Sequence, residues 1–323
     1  MTSRRSFTSA AWLLASGAPA WAQRPAPPGK IGYLHPRTID PDHATLRLLR
    51  PAWQELGYAE GSSVLLRSGQ NDAQRLPGLV QELIDQGVGV LIVVGAAAVR
   101  AASQVTRSTP IVAIDYETDP VRAGLAASLG RPGGNLTGLF LDQPSLAGKW
   151  IALLREAAPT LRRIALLWDP ATGRGQLDVA LGVAQAAGLA TAVLELGPPE
   201  GFDAALKPFG QRPATGIVQL GTAGFGGIAA RFAAAAARHR LPTIGFLKAY
   251  AEAGLLMSYG PDQGAHTGRA VVLADKILRG AKPGELPIER PARFEFVINL
   301  LTAKALGLTM PQNLLLRADE VIQ

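Results

Sequence analysis

Strand-like and helix-like segments alternate along most of this chain, and this alternation limits the fold more than any other feature. From Lys30 onward, short apolar runs such as KIGYLHP and VGVLIVVG are each followed by an amphipathic stretch of about ten to fifteen residues. Such alternation is typical of a parallel sheet covered by helices on both faces. The rhythm restarts at RRIALLWDP, in a second half with the same order of elements. The sequence therefore predicts an α/β fold with two doubly wound parallel-sheet lobes.

The same periodicity sets the expected helix boundaries. Apolar residues recur at helical spacing between the apolar runs, and a glycine closes several of these stretches, as at Gly57, Gly87 and Gly188. The predicted helices cover residues 42–56, 76–86, 96–106, 175–187, 202–211 and 228–240.

Loops at the carboxyl ends of parallel strands gather at one edge of each sheet, where ligands bind in open α/β folds. In the first half these loops read HPRTID, GAAAV and DYETDPV, and in the second half they read WDPATGRG, GTAGFGG and FLKAYAEAG. Two lobes that face each other would bring these loops together across a cleft. The sequence therefore predicts a small-molecule site between the lobes.

The first residues have the pattern of a bacterial export signal. Arg4 and Arg5 precede a short apolar core, and the sequence AWA at positions 20–22 places small residues where a signal peptidase cleaves. We predict a signal peptide over residues 1–22 and a proline-rich tether over residues 23–29, and hence a periplasmic protein. SRRSF resembles a twin-arginine signal, and an ordinary Sec signal that carries two arginines is the alternative.

Composition and motif spacing exclude several function classes. The formal charge of +7 is scattered, without a basic run or stripe, so we expect no binding of nucleic acid. The absence of cysteine rules out disulfides and thiolate metal sites. GTAGFGG lacks the spacing of a dinucleotide-binding loop, SLAGKW lacks two residues of a P-loop, and the four histidines give no zinc motif. We therefore predict no cofactor and no metal.

Two strand ends carry residues with acid–base potential. Asp115 ends one strand and is followed by Glu117 and Asp119, and His35 ends the first strand. A carboxylate pair at a strand end could act as acid and base. The structural alternative is that Asp119 caps a helix beginning near Pro120. His35 likewise has two interpretations, a ligand contact and a structural cap of its loop.

The rest of the catalytic inventory is missing. No serine lies in a nucleophile elbow, and no nucleophile stands with a base at a recognisable spacing. We expect His266 on the exposed side of a helix. The sequence predicts a binding protein and not an enzyme, and a hydrolase that uses Asp115 and His35 is the alternative.

A long stretch of the chain is similar to a known family. ETDPVRAGLAASLGRPGGNLTG resembles the substrate-binding proteins of ABC transporters, in the family that includes tryptophan-binding members, and the similarity continues through LLWDPA, AGLLMSYGPD and LLLRADEVI. It covers the chain from Lys30 onward. The resemblance implies a periplasmic binding protein type I fold, closure of two lobes on a small molecule, and delivery to an ABC permease in the inner membrane.

The resemblance also implies how the chain divides. Lobe 1 is expected to comprise residues 30–138 and about 261–282, and lobe 2 residues 139–260 and about 288–323. A helix over about 263–279 would pack on the first sheet, and ARFEFVINL would add a strand to the second. RPGGNLTG then reads as the bend between lobes, with two glycines that permit a tight turn.

One departure from the family concerns the ligand. Relatives commonly carry Gly-Thr-Pro-Ala after the third strand, where this chain has Gly95 followed by three alanines. A hydroxyl there could hold a ligand carboxylate, whereas here only backbone N–H groups at a helix N-terminus remain. The departure weakens the case for an amino acid, and an inward, unpaired Asp115 would favour a ligand with an amine.

Together these observations predict a monomeric solute-binding protein of an ABC importer. The expected ligand is an aromatic amino acid or a related carboxylate, because aromatic residues at the cleft suit stacking. A ligand-sensing partner of a membrane receptor is the alternative. The predicted ligand contacts are His35, Thr38, Gly95, Ala96, Asp115, Tyr116, Asp169, Thr222, Phe246 and Tyr259.

Overall fold

The computed structural model describes residues 27–39, 41, 44–141, 143–222 and 225–323. The predicted signal peptide and the first four residues of the predicted tether lie outside the described residues.

The first sheet has five parallel strands in the order β2-β1-β3-β4-β5. Every residue of β1, β3, β4 and β5 is buried, as expected for a parallel sheet covered on both faces. We refer to this sheet and its helices as lobe 1. The strands are β1 (Ile31–His35), β2 (Val64–Ser68), β3 (Val90–Val94), β4 (Ile111–Asp115) and β5 (Leu136–Phe140).

The second sheet has seven strands in the order β12-β11-β10-β9-β8-β6-β7 and forms lobe 2. Its pairs are parallel except for β10 and β11, which run antiparallel. Between these two strands the chain leaves lobe 2, passes through lobe 1 and returns, so β11 runs in the direction opposite to β10. The strands are β6 (Arg163–Trp168), β7 (Ala190–Glu195), β8 (Thr215–Gln219), β9 (Thr243–Gly245), β10 (Met257–Pro261), β11 (Phe294–Asn299) and β12 (Glu320–Ile322).

The six helices predicted from periodicity are confirmed, with ends that agree to within two residues. Four further helices, α4, α8, α10 and α11, were not predicted. The helices are α1 (Ala44–Glu55), α2 (Leu76–Asp85), α3 (Gly95–Val105), α4 (Ala147–Ala157), α5 (Gly175–Ala186), α6 (Phe202–Gly210), α7 (Ala229–Arg238), α8 (Lys248–Glu252), α9 (Gln263–Leu278), α10 (Leu300–Leu306) and α11 (Gln312–Arg317). Among the described residues, no helix is both long and apolar enough to cross a membrane.

The long helix α9 packs on the first sheet although its neighbours in sequence, β10 and β11, belong to the second. Its residues Ala270, Val271 and Ala274 are buried in one core cluster with Ile92 and Val112 of the first sheet. The chain therefore crosses between the lobes both before and after α9. This threading is the one that the family resemblance implied.

Two local expectations need correction. Asp119 does not cap a helix, because residues after Pro120 form a turn in which Asp119 Oδ1 accepts the N–H groups of Val121 (2.9 Å) and Arg122 (3.1 Å). The first crossing also lies later than expected. Strand β5 stays paired with β4 as far as Phe140, so the boundary at residue 138 falls inside a strand of lobe 1. The other lobe boundaries stay predictions.

Candidate functional site

A cavity lies between the lobes, at the carboxyl ends of the strands. It encloses about 710 Å³, including the open space at its mouth. Lobe 1 contributes nine residues and lobe 2 seven. They are His35, Thr45, Val94, Gly95, Ile114, Tyr116, Glu117, Gln263 and Thr267 from lobe 1, and Gly221, Thr222, Gly226, Phe246, Leu247, Ala249 and Tyr250 from lobe 2.

Aromatic rings from both lobes, those of Tyr116, Phe246 and Tyr250, line this cavity. Tyr116 follows β4, and its ring meets the ring of Phe246, which follows β9, edge to face with centroids 5.6 Å apart. Trp150 of α4 also packs edge to face on Phe246, with centroids 6.0 Å apart. The N–H of Phe246 donates to the buried Gln219 side chain at 3.1 Å, which fixes the backbone behind the ring. The rings are held at the separations that aromatic pairs prefer, so they provide a preformed surface for a planar group.

His266 of α9 supports Tyr116 from behind, which corrects the expectation that it is exposed. Its imidazole is buried, stacks on the Tyr116 ring with centroids 5.3 Å apart, and places Nδ1 2.9 Å from the Tyr116 hydroxyl. Burial lowers the pKa of His266 to about 4, although the nearby carboxylates of Glu289 and Asp262 oppose this shift. The ring is therefore neutral at neutral pH, and it packs on Tyr116 without itself lining the cavity.

The buried His266 makes the protein sensitive to acid. Its pKa is about 6.5 in the unfolded chain and about 4 in the folded protein, so the unfolded chain binds the extra proton first. This contribution to stability is fully present above pH 6.5 and is lost as the pH falls through 4. We expect it to amount to about 3 kcal/mol over that range.

Urea unfolding at pH 7.5, 5.5 and 4.0 measures this contribution. His266→Phe keeps the stack on Tyr116 without the titrating group, so its free energy of unfolding should fall less steeply with acid than that of the wild type. Other titrating groups contribute equally to both proteins and cancel. Parallel pH curves for the two proteins would show that His266 is not the source.

A carboxylate lies at the entrance to α3. Gly95, with φ +78°, turns the chain from β3 into this helix, and the N–H of Ala96 in its first turn donates to Glu117 Oε2 at 3.1 Å. The N-terminus of a helix carries a partial positive charge, which stabilises an anion. In this chain Glu117 supplies that anion from within lobe 1.

Asp115 shapes the loop that carries Tyr116 and Glu117. It is fully buried, and its Oδ1 accepts the N–H groups of Glu117 (2.8 Å) and Thr118 (3.1 Å). Burial raises the pKa of Asp115, although these backbone hydrogen bonds act in the opposite direction. Asp115 does not line the cavity, so it positions the loop from beneath.

A second group of polar residues joins the lobes beside the cavity. Arg37, in the loop after β1, forms an ion pair with Asp169, which follows β6 of lobe 2. Asp169 also accepts the N–H of Ala171 (2.9 Å) and the hydroxyl of Thr222 (2.7 Å). Burial lowers the pKa of Arg37, and the charge of Glu117 offsets part of this shift. Nearby, Arg100 of α3 donates to the carbonyl of Ala171 at 3.2 Å.

The structure brings most of the predicted ligand contacts together. Five of them, His35, Gly95, Tyr116, Thr222 and Phe246, line the cavity. Ala96 and Asp169 line a smaller adjoining space of about 260 Å³, which shares Gly95, Glu117 and Thr222 with the first. Contact with a ligand stays a prediction for all seven.

Three predicted contacts lie elsewhere. Asp115 is buried beneath the loop, as described above. Thr38 is exposed, and its hydroxyl accepts from the Asn71 side chain at 3.2 Å. Tyr259 is in β10, where its ring stacks on Phe294 with centroids 5.7 Å apart. Neither Thr38 nor Tyr259 lines the cavity. Position near a strand end is thus not sufficient to place a side chain in the site.

Sequence reasoning missed three residues that matter here. Glu117 was visible as part of DYETDPV, but only as a partner of Asp115 in acid–base chemistry. Tyr250 lies in the FLKAYAEAG loop and was overlooked because the short helix α8 that presents it was not predicted. Arg37 is next to Pro36 in HPRTID, and nothing in the sequence pairs it with Asp169, 132 positions away.

His35 ends β1 with a fully buried ring, so both interpretations of it have support. The Arg37 N–H donates to His35 Nδ1 at 3.2 Å, which caps the loop, and the residue also lines the cavity. Asp115 is not among the described residues that line this cavity with His35, which gives a hydrolase based on the two no support. In the described part of the chain, no three His, Asp or Glu residues are grouped so that they could hold a metal ion.

Comparison with known proteins found a matching family model and a similar protein of known ligand. A family model described as ABC transporter substrate binding protein matches residues 43–322. A tyrosine-binding protein of Clostridioides difficile is 25% identical over 130 residues, which are 40% of this chain and only 37% of that relative's length.

Two solved structures share the fold. One is the ABC domain in complex with L-Trp from Streptococcus pneumoniae, with a TM-score of 0.79 and 22% identity, over 91% of this chain and 99% of the other. The second is a conserved domain protein from Vibrio cholerae, with a TM-score of 0.79 and 23% identity over the same shares. At this identity the likeness establishes the two-lobed fold.

Proposed function

This chain belongs to the ABC transporter substrate-binding protein family, and from that premise we propose that it captures a small aromatic molecule outside the cytoplasm and delivers it to an ABC permease. The observation that carries the proposal is the cavity between the lobes, because the rings of Tyr116, Phe246 and Tyr250 that line it suit a planar ligand. Two similar proteins, a tyrosine-binding protein and one solved in complex with L-Trp, agree with a ring-bearing ligand.

Contacts between the lobes support closure as the mechanism of capture. The ion pair of Arg37 with Asp169 and the hydrogen bond from Arg100 to Ala171 both join lobe 1 to lobe 2 at the edge of the cavity. An open form would lose both contacts. Since a ligand between the lobes contacts both of them, it binds the closed form more tightly and shifts the population towards it.

Export and the partner complete the proposal. The pattern of residues 1–22 supports secretion to the periplasm through a twin-arginine or Sec signal, and the closed monomer is then the form that a permease recognises. No cofactor is needed, because binding and release involve no bond cleavage. A sensing role would use the same cavity, and uptake of labelled ligand by cells with and without this protein separates transport from sensing.

Thermal unfolding of the protein beginning at Gln23 tests the binding function. Aromatic amino acids, aromatic amines and aromatic acids are added in series, with L-alanine as a matched compound without a ring. We expect at least one aromatic compound to raise the unfolding midpoint in a saturable way, by several degrees at a hundredfold excess over its Kd, while alanine does not.

Mass spectrometry of the recovered ligand is the control for chemistry. An unchanged compound agrees with binding and transport, whereas a hydrolysed one would favour the enzyme. If compounds without a ring stabilise the protein and aromatic ones do not, the proposed ligand class is wrong.

A further inference from the structure

We propose that Gln219 is a positioning residue for the cavity, because its side-chain amide holds two loops of lobe 2 in the arrangement that binds the ligand. This role rests on the proposed function, since it concerns the ligand captured between the lobes. Gln219 is the last residue of β8, and its side chain is fully buried but does not line the cavity. A buried amide is costly unless its donor and acceptor are both bound, so the partners of Gln219 indicate what it does.

The amide connects the loop after β8 to the loop after β9. Its Oε1 accepts the N–H of Phe246 at 3.1 Å, and its Nε2 donates to the carbonyl of Leu220. Leu220 leads directly into Gly221 and Thr222, which line the cavity, and Phe246 lines it as well. One side chain is therefore bound to the backbone of both segments that lobe 2 brings to the cavity.

This bridge lies just beyond the point where the two strands pair. The register of β8 and β9 ends with Val218 opposite Ile244, one residue before Gln219 and two before Phe246. The Phe246 N–H then donates to the Gln219 side chain. The amide therefore continues the connection between the strands into the loops, where the backbone ladder has ended.

Only a group with one acceptor and one donor satisfies both partners. The N–H of Phe246 can only donate and the carbonyl of Leu220 can only accept, so together they also fix the orientation of the amide. Methionine has a similar shape but lacks the amide donor and its strong acceptor. A carboxylate keeps an acceptor for Phe246 but places a negative oxygen against the Leu220 carbonyl. A protonated carboxyl restores both contacts, because its carbonyl oxygen accepts and its hydroxyl donates.

The bridged loops carry groups whose positions matter for a ring-bearing ligand. A shift of the Phe246 backbone would move its ring relative to that of Tyr116 in lobe 1, 5.6 Å away between centroids. A shift of the other loop would move Thr222, whose hydroxyl donates to Asp169 at 2.7 Å. Loss of the bridge should therefore change the shape of the cavity and lower its affinity.

Isothermal titration calorimetry tests this role with L-tryptophan, tryptamine and indole-3-propionate, three probes that share a ring. Gln219→Met leaves a buried donor and a buried acceptor without their partner, so it should weaken the tightest-binding probe by about tenfold. Thr243→Val is the matched control. Thr243 is also buried, but it begins β9 at the end away from the cavity, where its hydroxyl donates to the Leu241 carbonyl at 2.9 Å. This variant should lose stability and keep the wild-type affinity.

Gln219→Glu gives a pH profile that a general loss of stability would not produce. Its carboxylate should weaken binding at pH 8.5 by about tenfold, because it cannot donate to Leu220. Burial raises the pKa of a carboxyl group, so lowering the pH to 6.0 should protonate it and restore most of the affinity. The wild type and Thr243→Val, measured with the same probe, should show parallel profiles.

Hydrogen–deuterium exchange at the Phe246 amide reports on the bridge without any ligand. Because this N–H donates directly to Gln219, its exchange should be about tenfold faster in Gln219→Met and unchanged in Thr243→Val. If no probe binds the wild-type protein, the proposed ligand class is wrong, and this exchange rate alone decides whether Gln219 holds the loop.

Three results would overturn the positioning role. They are wild-type affinity in a folded Gln219→Met protein, equal losses of affinity in Gln219→Met and Thr243→Val, and a Gln219→Glu profile parallel to that of the wild type. If Gln219→Met does not fold, the pH profile of Gln219→Glu decides.

Discussion

Replacing Asp169 with Asn should open the cleft and weaken ligand binding about tenfold. The substitution keeps an oxygen for the N–H of Ala171 but removes the charge that pairs with Arg37 across the lobes. Breaking a fully buried ion pair costs about 3–5 kcal/mol, and exposed pairs contribute under about 1 kcal/mol. Asp169 is 7% exposed and Arg37 25% exposed. We therefore expect the substitution to destabilise the closed form by about 1–2 kcal/mol and to leave the open form unaffected.

Small-angle X-ray scattering and calorimetry check this expectation. The ligand-free Asp169→Asn protein should have a larger radius of gyration than the wild type, and saturating ligand should restore the smaller value. Affinity should fall because the apparent Kd is the intrinsic Kd divided by the fraction of closed protein.

Arg67→Ala is the matched control for this experiment. Arg67 has the same side-chain exposure as Arg37, 25%, but its partner Glu82 lies in the same lobe. It should change neither the radius nor the affinity. Equal effects of Asp169→Asn and Arg67→Ala would show that the pair between lobes has no special part in closure.

The fold was largely predictable because its signals are local. The hydrophobic pattern of a helix or a buried strand is visible within about ten residues. Glycines with positive φ, such as Gly57, Gly87 and Gly188, follow the ends of helices. The helices that were not predicted are either short or lie outside the strand–helix alternation from which the other helices were predicted. The seven residues of α10, for example, begin where β11 ends and are capped by Asn299.

The candidate site was predictable only in outline, because its geometry depends on side chains brought from distant parts of the chain. Strand ends correctly indicated Tyr116, Thr222 and Phe246 as cavity residues. His266 shows where this reasoning stops, since a helix that crosses back to lobe 1 buries a residue whose local sequence suggests exposure. Asp115 was predicted to contact the ligand, but it lies beneath the loop, and Glu117 lines the cavity instead. Local sequence does not give this result, because the direction of a side chain after a strand is set by the loop's own hydrogen bonds.

Gly138→Ala should have the largest effect on stability, lowering the free energy of unfolding by at least about 3 kcal/mol. Gly138 lies in β5 with φ +141°, in the range that side chains disfavour, and faces Ala113 of β4. A Cβ added to it would lie 2.2 Å from the Ala113 carbonyl oxygen and 2.5 Å from its nitrogen. Both are backbone atoms, so relief requires the two strands to separate.

The control for Gly138→Ala is Gly134→Ala, four residues earlier, where a Cβ would meet nothing within 4 Å. Urea unfolding should show little change for the control and a much lower midpoint for Gly138→Ala. The effect should also reach the site, because β4 ends at Asp115 and its displacement moves the loop that carries Tyr116 and Glu117. Ligand affinity at a temperature where the variant is still folded should therefore fall as well. A variant that loses stability but keeps full affinity would show that the loop is held by Asp115 independently of the β4–β5 register.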